Sequence, residues 1–167
     1  DGTLSLWSYD AEKVPEIFEV PDEIDGQTVT EVRGSLFTRK DKIKKVILPE
    51  TVTSIGKETF MFAESIEEIE IRGNVQSIGN RAFIDVNKIK TLNFKEGLET
   101  VGESAIAACD NLTNIYLPGT VEDVSGDTNF DMCAETLRIH VPAGSTAETV
   151  VKDSVANAED DIEVVAE

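Results

Sequence analysis

ETVTSIGKETF, residues 50–60, returns as GNVQSIGNRAF at 73–83 and again as EGLETVGESAI at 96–106, a step of 23 residues each time. Apolar positions hold that register well beyond the quoted stretch. One column runs Val29, Val52, Val75, Leu98, Val121 and a second Val32, Ile55, Ile78, Val101, Val124. A third is Phe37, Phe60, Phe83, Ile106 and then Phe130, where one residue has been inserted. Three more are Ile43, Ile66, Ile89, Leu112, Leu137; then Val46, Ile69, Leu92, Ile115, Ile139; then Leu48, Ile71, Phe94, Leu117, Val141. A column of smaller residues holds Ala63, Val86, Cys109 and Cys133. Chance does not align seven columns, so the chain is read as a solenoid of stacked repeats.

Each repeat decodes into local structure. Ile69 and Ile71 alternate with Glu68, Glu70 and Arg72, the period of a short strand with one buried face. A turn follows at Gly73-Asn74, and then Val75-x-x-Ile78 reads as a second short extended piece. Gly56, Gly79 and Gly102 are expected to supply a tight bend or a positive φ. Asn80 to Phe83 is expected to form a helical turn that drives Phe83 inward. One repeat cannot bury its apolar face alone, so neighbours must cover it.

The motif L-x-x-I-x-L-P followed by V-x-x-I-G-x-x-A-F resembles the BspA-like leucine-rich repeat family. It is carried by Ile43–Pro49 into Val52–Phe60, Ile66–Ile71 into Val75–Phe83, and Leu112–Pro118 into Val121–Val124. The resemblance covers residues 29–142 closely, with a lead-in at 20–29 (VPDEIDGQTV) and an exit at 141–149 (VPAGSTAET). It implies an α/β-type solenoid, a right-handed stack of about five 23-residue repeats, with mostly short parallel strands and short helical turns. It further implies secreted or cell-surface proteins, adhesion to host proteins or neighbouring cells, and no catalytic residues. The chain departs from the pattern at Arg33, which replaces a glycine, at Ile106, which replaces the column phenylalanine, and in SGDTNFD, 125–131, which holds the extra residue.

A solenoid needs covered ends. Residues 1–28 are expected to form an N-terminal β cap, a strand or hairpin with Trp7 and Tyr9 partly buried against the first repeat or, alternatively, forming a binding platform. Repeats fill 29–142. Residues 143–167 are expected to form a C-terminal cap within the same structural domain. In that cap Ser145-x-x-Glu148 is a capping-box pattern that starts a short helix over about 146–156, with Val150, Val151 and Val155 inward. Acidic residues 159–161 read as a solvated turn, and 161–165 as a final strand.

Composition narrows the function. There are 33 acidic residues against 15 Lys and Arg, a formal net charge of −18. Nucleic acid and anionic membrane surfaces reward clustered Lys and Arg and are disfavoured as partners. No apolar run of about 18 residues exists to span a membrane. No signal peptide is present and the chain starts at Asp1, which reads as a mature or trimmed fragment. Enzyme chemistry finds no support: there is a single His, no Gly-rich phosphate loop and no metal-spaced cluster, so no cofactor is expected. Asp127-x-Asn129-x-Asp131 has the opening spacing of a calcium loop, but Met132 and Arg138 stand where Gly and Glu are required. It reads as the turn that absorbs the insertion. Cys109 and Cys133 fall on adjacent coils, either as buried thiols or, if aimed at each other, as a disulfide.

The outward strand positions form two columns, Lys45, Glu68, Thr91, Asn114, Arg138 and Ile47, Glu70, Asn93, Tyr116, His140. Stacked strands lie about 4.8 Å apart, so each column is a ladder of neighbouring side chains. The candidate ligand-binding face is Tyr116 and His140 flanked by Asn114 and Arg138, with Asn93, Glu70 and Ile47 along the same ladder. Tyr and Arg are favoured at binding hot spots. The leading reading is a monomeric, non-catalytic recognition or adhesion module for a protein ligand. A passive spacer in a larger surface protein and a glycan binder are the alternatives.

Overall fold

The computed structural model describes residues 3–4, 14–156, 158 and 161–167. Trp7 and Tyr9 lie outside the described residues, as do residues 159 and 160 of the acidic turn. The molecule is a parallel β-solenoid of about six turns. One parallel sheet runs the length of the stack, with strands Thr3–Leu4, Glu31–Val32, Ser54–Ile55, Ser77–Ile78, Thr100–Val101 and Asp123–Val124. The second face carries two parallel sheets. The first holds Ile17–Glu19, Lys45–Leu48 and Glu68–Ile71; the second holds Thr91–Asn93, Asn114–Tyr116, Arg138–Val141 and Glu163–Ala166. The inner steps of both faces join residues one repeat apart, such as Val46 to Ile69 and Ile55 to Ile78, whereas the first pairings, Thr3 with Glu31 and Ile17 with Lys45, reach across the longer N-terminal segment.

The seven columns form the core. Phe37, Phe60, Phe83 and Phe130 are at most 1% exposed, as are Ile43, Ile66, Ile89, Leu112 and Leu137. Phe37 stacks on Phe60 with ring centroids 4.8 Å apart, and Phe60 on Phe83 at 5.1 Å. The stack of rings ends where Ile106 replaces the next phenylalanine. Val124 and Cys133, in the last turn of the stack, are only partly buried.

The third side of each coil differs from the expected helical turn. Residues 80–82 form a turn closed by the Ala82 N–H donating to the Gly79 carbonyl, and Phe83–Ile84 then pairs in parallel with Ile106–Ala107. A right-handed helix is excluded because Arg81 lies at φ 57°. This conformation repeats. Ser35, Glu58, Arg81 and Ser104, two residues before the phenylalanine column, all have φ between 49° and 60°. Arg39, Phe62, Asp85 and Ala108, two residues after it, lie between 51° and 57°. A left-handed non-glycine residue costs about 1–2 kcal/mol. What it gains is an amide aimed along the stack. Glu58, Phe60 and Phe62 donate to the carbonyls of Asn80, Ala82 and Ile84 in the next coil, and Arg81, Phe83 and Asp85 donate to Glu103, Ala105 and Ala107.

The repeat glycines serve a different purpose from the positive φ expected of them. None of Gly56, Gly79 and Gly102 has a positive φ. A Cβ on Gly79 would instead lie 2.5 Å from the Lys57 amide nitrogen, and one on Gly102 2.7 Å from that of Asn80. The glycines let one coil settle on the backbone of the coil before it. Positive φ is found at glycines elsewhere. Asp25 at φ 50° and Gly26 at φ 78° make the two-residue turn of an antiparallel hairpin, Glu23–Ile24 with Gln27–Thr28.

At the far end Ser145 caps a helix over Thr146–Val155, accepting from the Glu148 N–H, while the Glu148 carboxylate accepts from the Gly144 N–H. Val151 is buried, with Val150 and Val155 packed partly against the core. Strand Glu163–Ala166 then pairs with Arg138–Val141.

Two glycine substitutions separate close approach from backbone strain. Gly79→Ala is expected to cost about 1–3 kcal/mol, because backbone must move to admit the methyl. At Gly26 nothing lies within 4 Å of the place a methyl would take, so Gly26→Ala is expected to cost no more than the roughly 1–2 kcal/mol of a left-handed non-glycine residue. Denaturant midpoints of the two variants check the order.

Candidate functional site

The parallel register brings five of the candidate side chains into one patch. Asn93, Tyr116, His140 and Val165 occupy one outward row, and Thr91, Asn114, Arg138 and Glu163 the other. Tyr116 and His140 stack with ring centroids 4.3 Å apart and 14° between planes. Tyr116 is 38% exposed, one of few large apolar side chains on the described surface. His140 is held on both ring nitrogens, by Asn114 Oδ1 at 3.1 Å and by Glu167 Oε1 at 2.9 Å. This fixes the imidazole plane against the phenol ring. Arg138 donates from Nε to Glu163 at 2.7 Å, so its charge is already paired. A shallow depression of about 200 Å³ lies beside the rings, lined by Tyr116, Leu117, His140, Val141, Pro142 and Glu167.

Two of the seven candidates lie apart from this patch. The ladder is interrupted between Glu68–Ile71 and Thr91–Asn93, which belong to different sheets. Glu70 and Ile47 sit on the far side of that break. Glu70 is committed to ion pairs, 2.8 Å from Lys45 and 2.7 Å from Arg72. Hydrogen bonds from Lys45 and Arg72 pull its carboxyl down to about 2. Ile47 is not the exposed apolar position its outward register suggests, being 8% exposed. Its register neighbours are Glu19 and Glu70, and Arg72 pairs with both, so the ion-pair network spans the isoleucine. Ile47 is therefore not part of the exposed face.

The carboxylates of Glu163 and Glu167 belong to the patch and were not foreseen. The alternation in residues 161–165 indicates a strand, but not which strand it would join. The break in the ladder also leaves a depression of about 500 Å³, lined by Glu67, Glu68, Lys88, Lys90, Thr91 and Asn111.

Asn129 sits inside the fold, fully buried, with its side chain fully engaged. Its Oδ1 accepts from the Ala105 and Ile106 amides at 2.8 and 3.4 Å, and its Nδ2 donates to the Gly102 and Ser125 carbonyls at 3.0 and 2.8 Å. Neither end is available to a cation. The inserted segment bends around this side chain, and Phe130 remains buried beside it. Among the described residues no group of three or more His, Cys, Asp or Glu side chains could hold a metal ion. No helix among them is long and apolar enough to cross a membrane.

Asn129→Ala is expected to destabilise by about 2–3 kcal/mol, since it strands buried backbone groups; a thermal melt checks this, and added calcium is expected to leave the wild-type curve unmoved. For Glu70, the depressed carboxyl makes its ion pairs a source of stability that is complete above the unfolded value of about 4.3. That contribution is lost as pH falls toward about 2. An NMR titration of the Glu70 carboxyl is expected to give that low midpoint, and Arg72→Met to raise it.

Comparisons with known proteins agree on the architecture. The structure is similar to that of a Treponema pallidum leucine-rich repeat protein, with TM-score 0.71, 24% identity, and coverage of 78% of this chain and 60% of that one. It is similar to the pneumococcal vaccine antigen PcpA, with TM-score 0.68, 18% identity, and coverage of 95% and 43%. A leucine-rich cell surface protein of Faecalibacterium prausnitzii matches with TM-score 0.61, 19% identity, and coverage of 95% and 34%. The chain thus spans less than two thirds of the length of these relatives, and at these identities the likeness concerns the fold. No curated protein matches the sequence. The BspA type leucine-rich repeat region matches residues 23–149 in six copies, so the chain belongs to the BspA-type leucine-rich repeat family.

Proposed function

We propose that this chain is a non-catalytic recognition module of a secreted or cell-surface bacterial protein, and that it binds a host or neighbouring-cell protein through the strand face around Tyr116 and His140. The observation that carries this reading is the stacked Tyr116–His140 pair. Elsewhere the described strand face is closed by its own charges: Lys45 pairs with Glu68 and Glu70, and Arg72 with Glu19 and Glu70. At Tyr116 an exposed aromatic ring stacks on an imidazole held at both nitrogens, beside a depression lined by Leu117, Val141 and Pro142 as well as Glu167. Rigid aromatic anchors lose little freedom on binding and dominate many interfaces. Asn93 supplies an uncharged donor and acceptor at the rim, while Asn114 is engaged with His140 and Thr113.

The surface location rests on the family and on one structural neighbour described as a cell surface protein. The net charge of −18 favours partners with basic surface over nucleic acid or acidic membrane. The family's solenoid is a repeat-based binding or structural module, which supports a non-catalytic reading of this patch.

Binding of the chain to immobilised mucin and host matrix proteins tests the proposal, beside a Tyr116→Ala/Arg138→Ala/His140→Ala variant with a matched melting curve. The expected result is saturable binding weakened by about 30-fold or more in the variant, the size of a hot-spot loss. Binding retained by the variant would move the site off this face. Binding by neither protein would favour a spacer role.

A further inference from the structure

We propose that Cys109 and Cys133 form a thiol–disulfide exchange site, at which a small-molecule disulfide converts the pair into a bond joining two adjacent coils. Both residues are thiols in the structure. They occupy the same inward column, and the backbone around them is already laddered. The Ala108 amide donates to the Asp131 carbonyl at 2.8 Å, and the Phe130 amide donates to the Ile106 carbonyl at 2.6 Å. Coils paired in this way are about 4.8 Å apart. Disulfide-bonded residues have Cα atoms about 4.4–6.8 Å apart, so no backbone shift is needed to bring the two within range.

The side chains meet as well. The Cys109 thiol is fully buried, donating to the Phe83 carbonyl at 3.0 Å, and it is in hydrogen-bond contact with Cys133. That contact, together with burial, pushes the Cys109 thiol well above its usual range. Cys133 is only partly buried. The difference assigns the order of events. The accessible Cys133 thiolate attacks the incoming disulfide and forms a mixed disulfide, releasing one thiolate. Once Cys133 is capped, the neighbouring thiol that raised Cys109 is gone, and the Cys109 thiolate attacks the Cys133 sulfur and releases the second. The two protons lost by the cysteines pass to the two released thiolates, so the protein loses two electrons and the small disulfide gains them.

The position gives the bond a consequence. It closes a loop of 23 intervening residues, 110–132, containing the inserted segment and Asn129. It also fastens the coil that presents Arg138 and His140 to the coil that presents Asn114 and Tyr116.

Incubating the folded chain with oxidised glutathione, near the ordinary thiol pKa of about 8.5, tests this. Cyanogen bromide then provides the readout, because cleavage after Met132 separates the two cysteines. The expected result is a chain lighter by two hydrogens, whose fragments 62–132 and 133–167 stay joined until a reductant is added. The oxidised chain should melt about 5–10 °C above the reduced one. Cys109→Val, which places in the column the residue type already present at Val86, is expected to keep a stable glutathionyl adduct on Cys133. Fragments that separate, a wild-type adduct that never resolves, or a joined pair with no rise in Tm would each overturn the proposal. A Cys109→Val chain that takes up no glutathione would overturn the assigned order of attack.

Discussion

Every feature of this molecule follows from the requirement that each coil satisfy its backbone hydrogen bonds on the coils beside it. With strands only two to four residues long, no coil can satisfy its amides internally. On the long sheet the amides point backward along the stack, as Gly56 to the Val32 carbonyl and Gly79 to that of Ile55. On the third side they point forward, as Phe60 to Ala82 and Phe83 to Ala105. The left-handed residues two before and two after the phenylalanine column are what this costs. The repeat glycines are what close approach on the other side requires. The apolar columns supply the burial that offsets both, and they do so only because the hydrogen bonds hold them in register.

The same register converts a sequence period into a surface pattern. A residue type repeated at the outward strand position becomes a ladder of contacts, and a varied one becomes a patch. The two halves of the strand face use this differently. Below the break, Lys45, Glu68, Glu70 and Arg72 neutralise one another and roof over Ile47. Above it, uncharged Asn93 and Asn114 frame a ring pair locked by Glu167. The proposed recognition surface therefore lies above the break, where the Arg138–Glu163 and His140–Glu167 pairs leave the Tyr116 ring exposed, and strand Glu163–Ala166 completes it. The fourth and fifth coils carry that surface. They also carry the inserted residue, the buried Asn129 that organises the insertion, and the two thiols. In this part of the stack the repeat is least regular, and more of the order comes from side chains than from the column pattern.

The sequence by itself determined the frame. Six of its apolar columns are buried along nearly their whole length, and the capping pattern at Ser145 places a helix whose observed span is Thr146–Val155. The hairpin turn at Asp25-Gly26 was also legible in principle, as an Asp-Gly pair between short β-forming runs, though nothing in the repeat pattern pointed to it. These features are local or periodic, so each residue's neighbours follow from spacing alone. Tertiary structure decided what depends on distance across the stack. It gave the glycines their role in close approach, because only the preceding coil reveals the clash. It turned the expected helical turn at Asn80–Phe83 into a left-handed turn running into a short strand, because the Arg81 and Phe83 amides bond forward to the next coil. It covered Ile47, which alternation had placed outside, by drawing Arg72 between Glu19 and Glu70. It brought Glu163 and Glu167 beside Arg138 and His140 across more than twenty residues of chain. Burial follows from period; the identity of a side chain's partner follows from the three-dimensional stacking of coils, which a one-dimensional pattern does not encode.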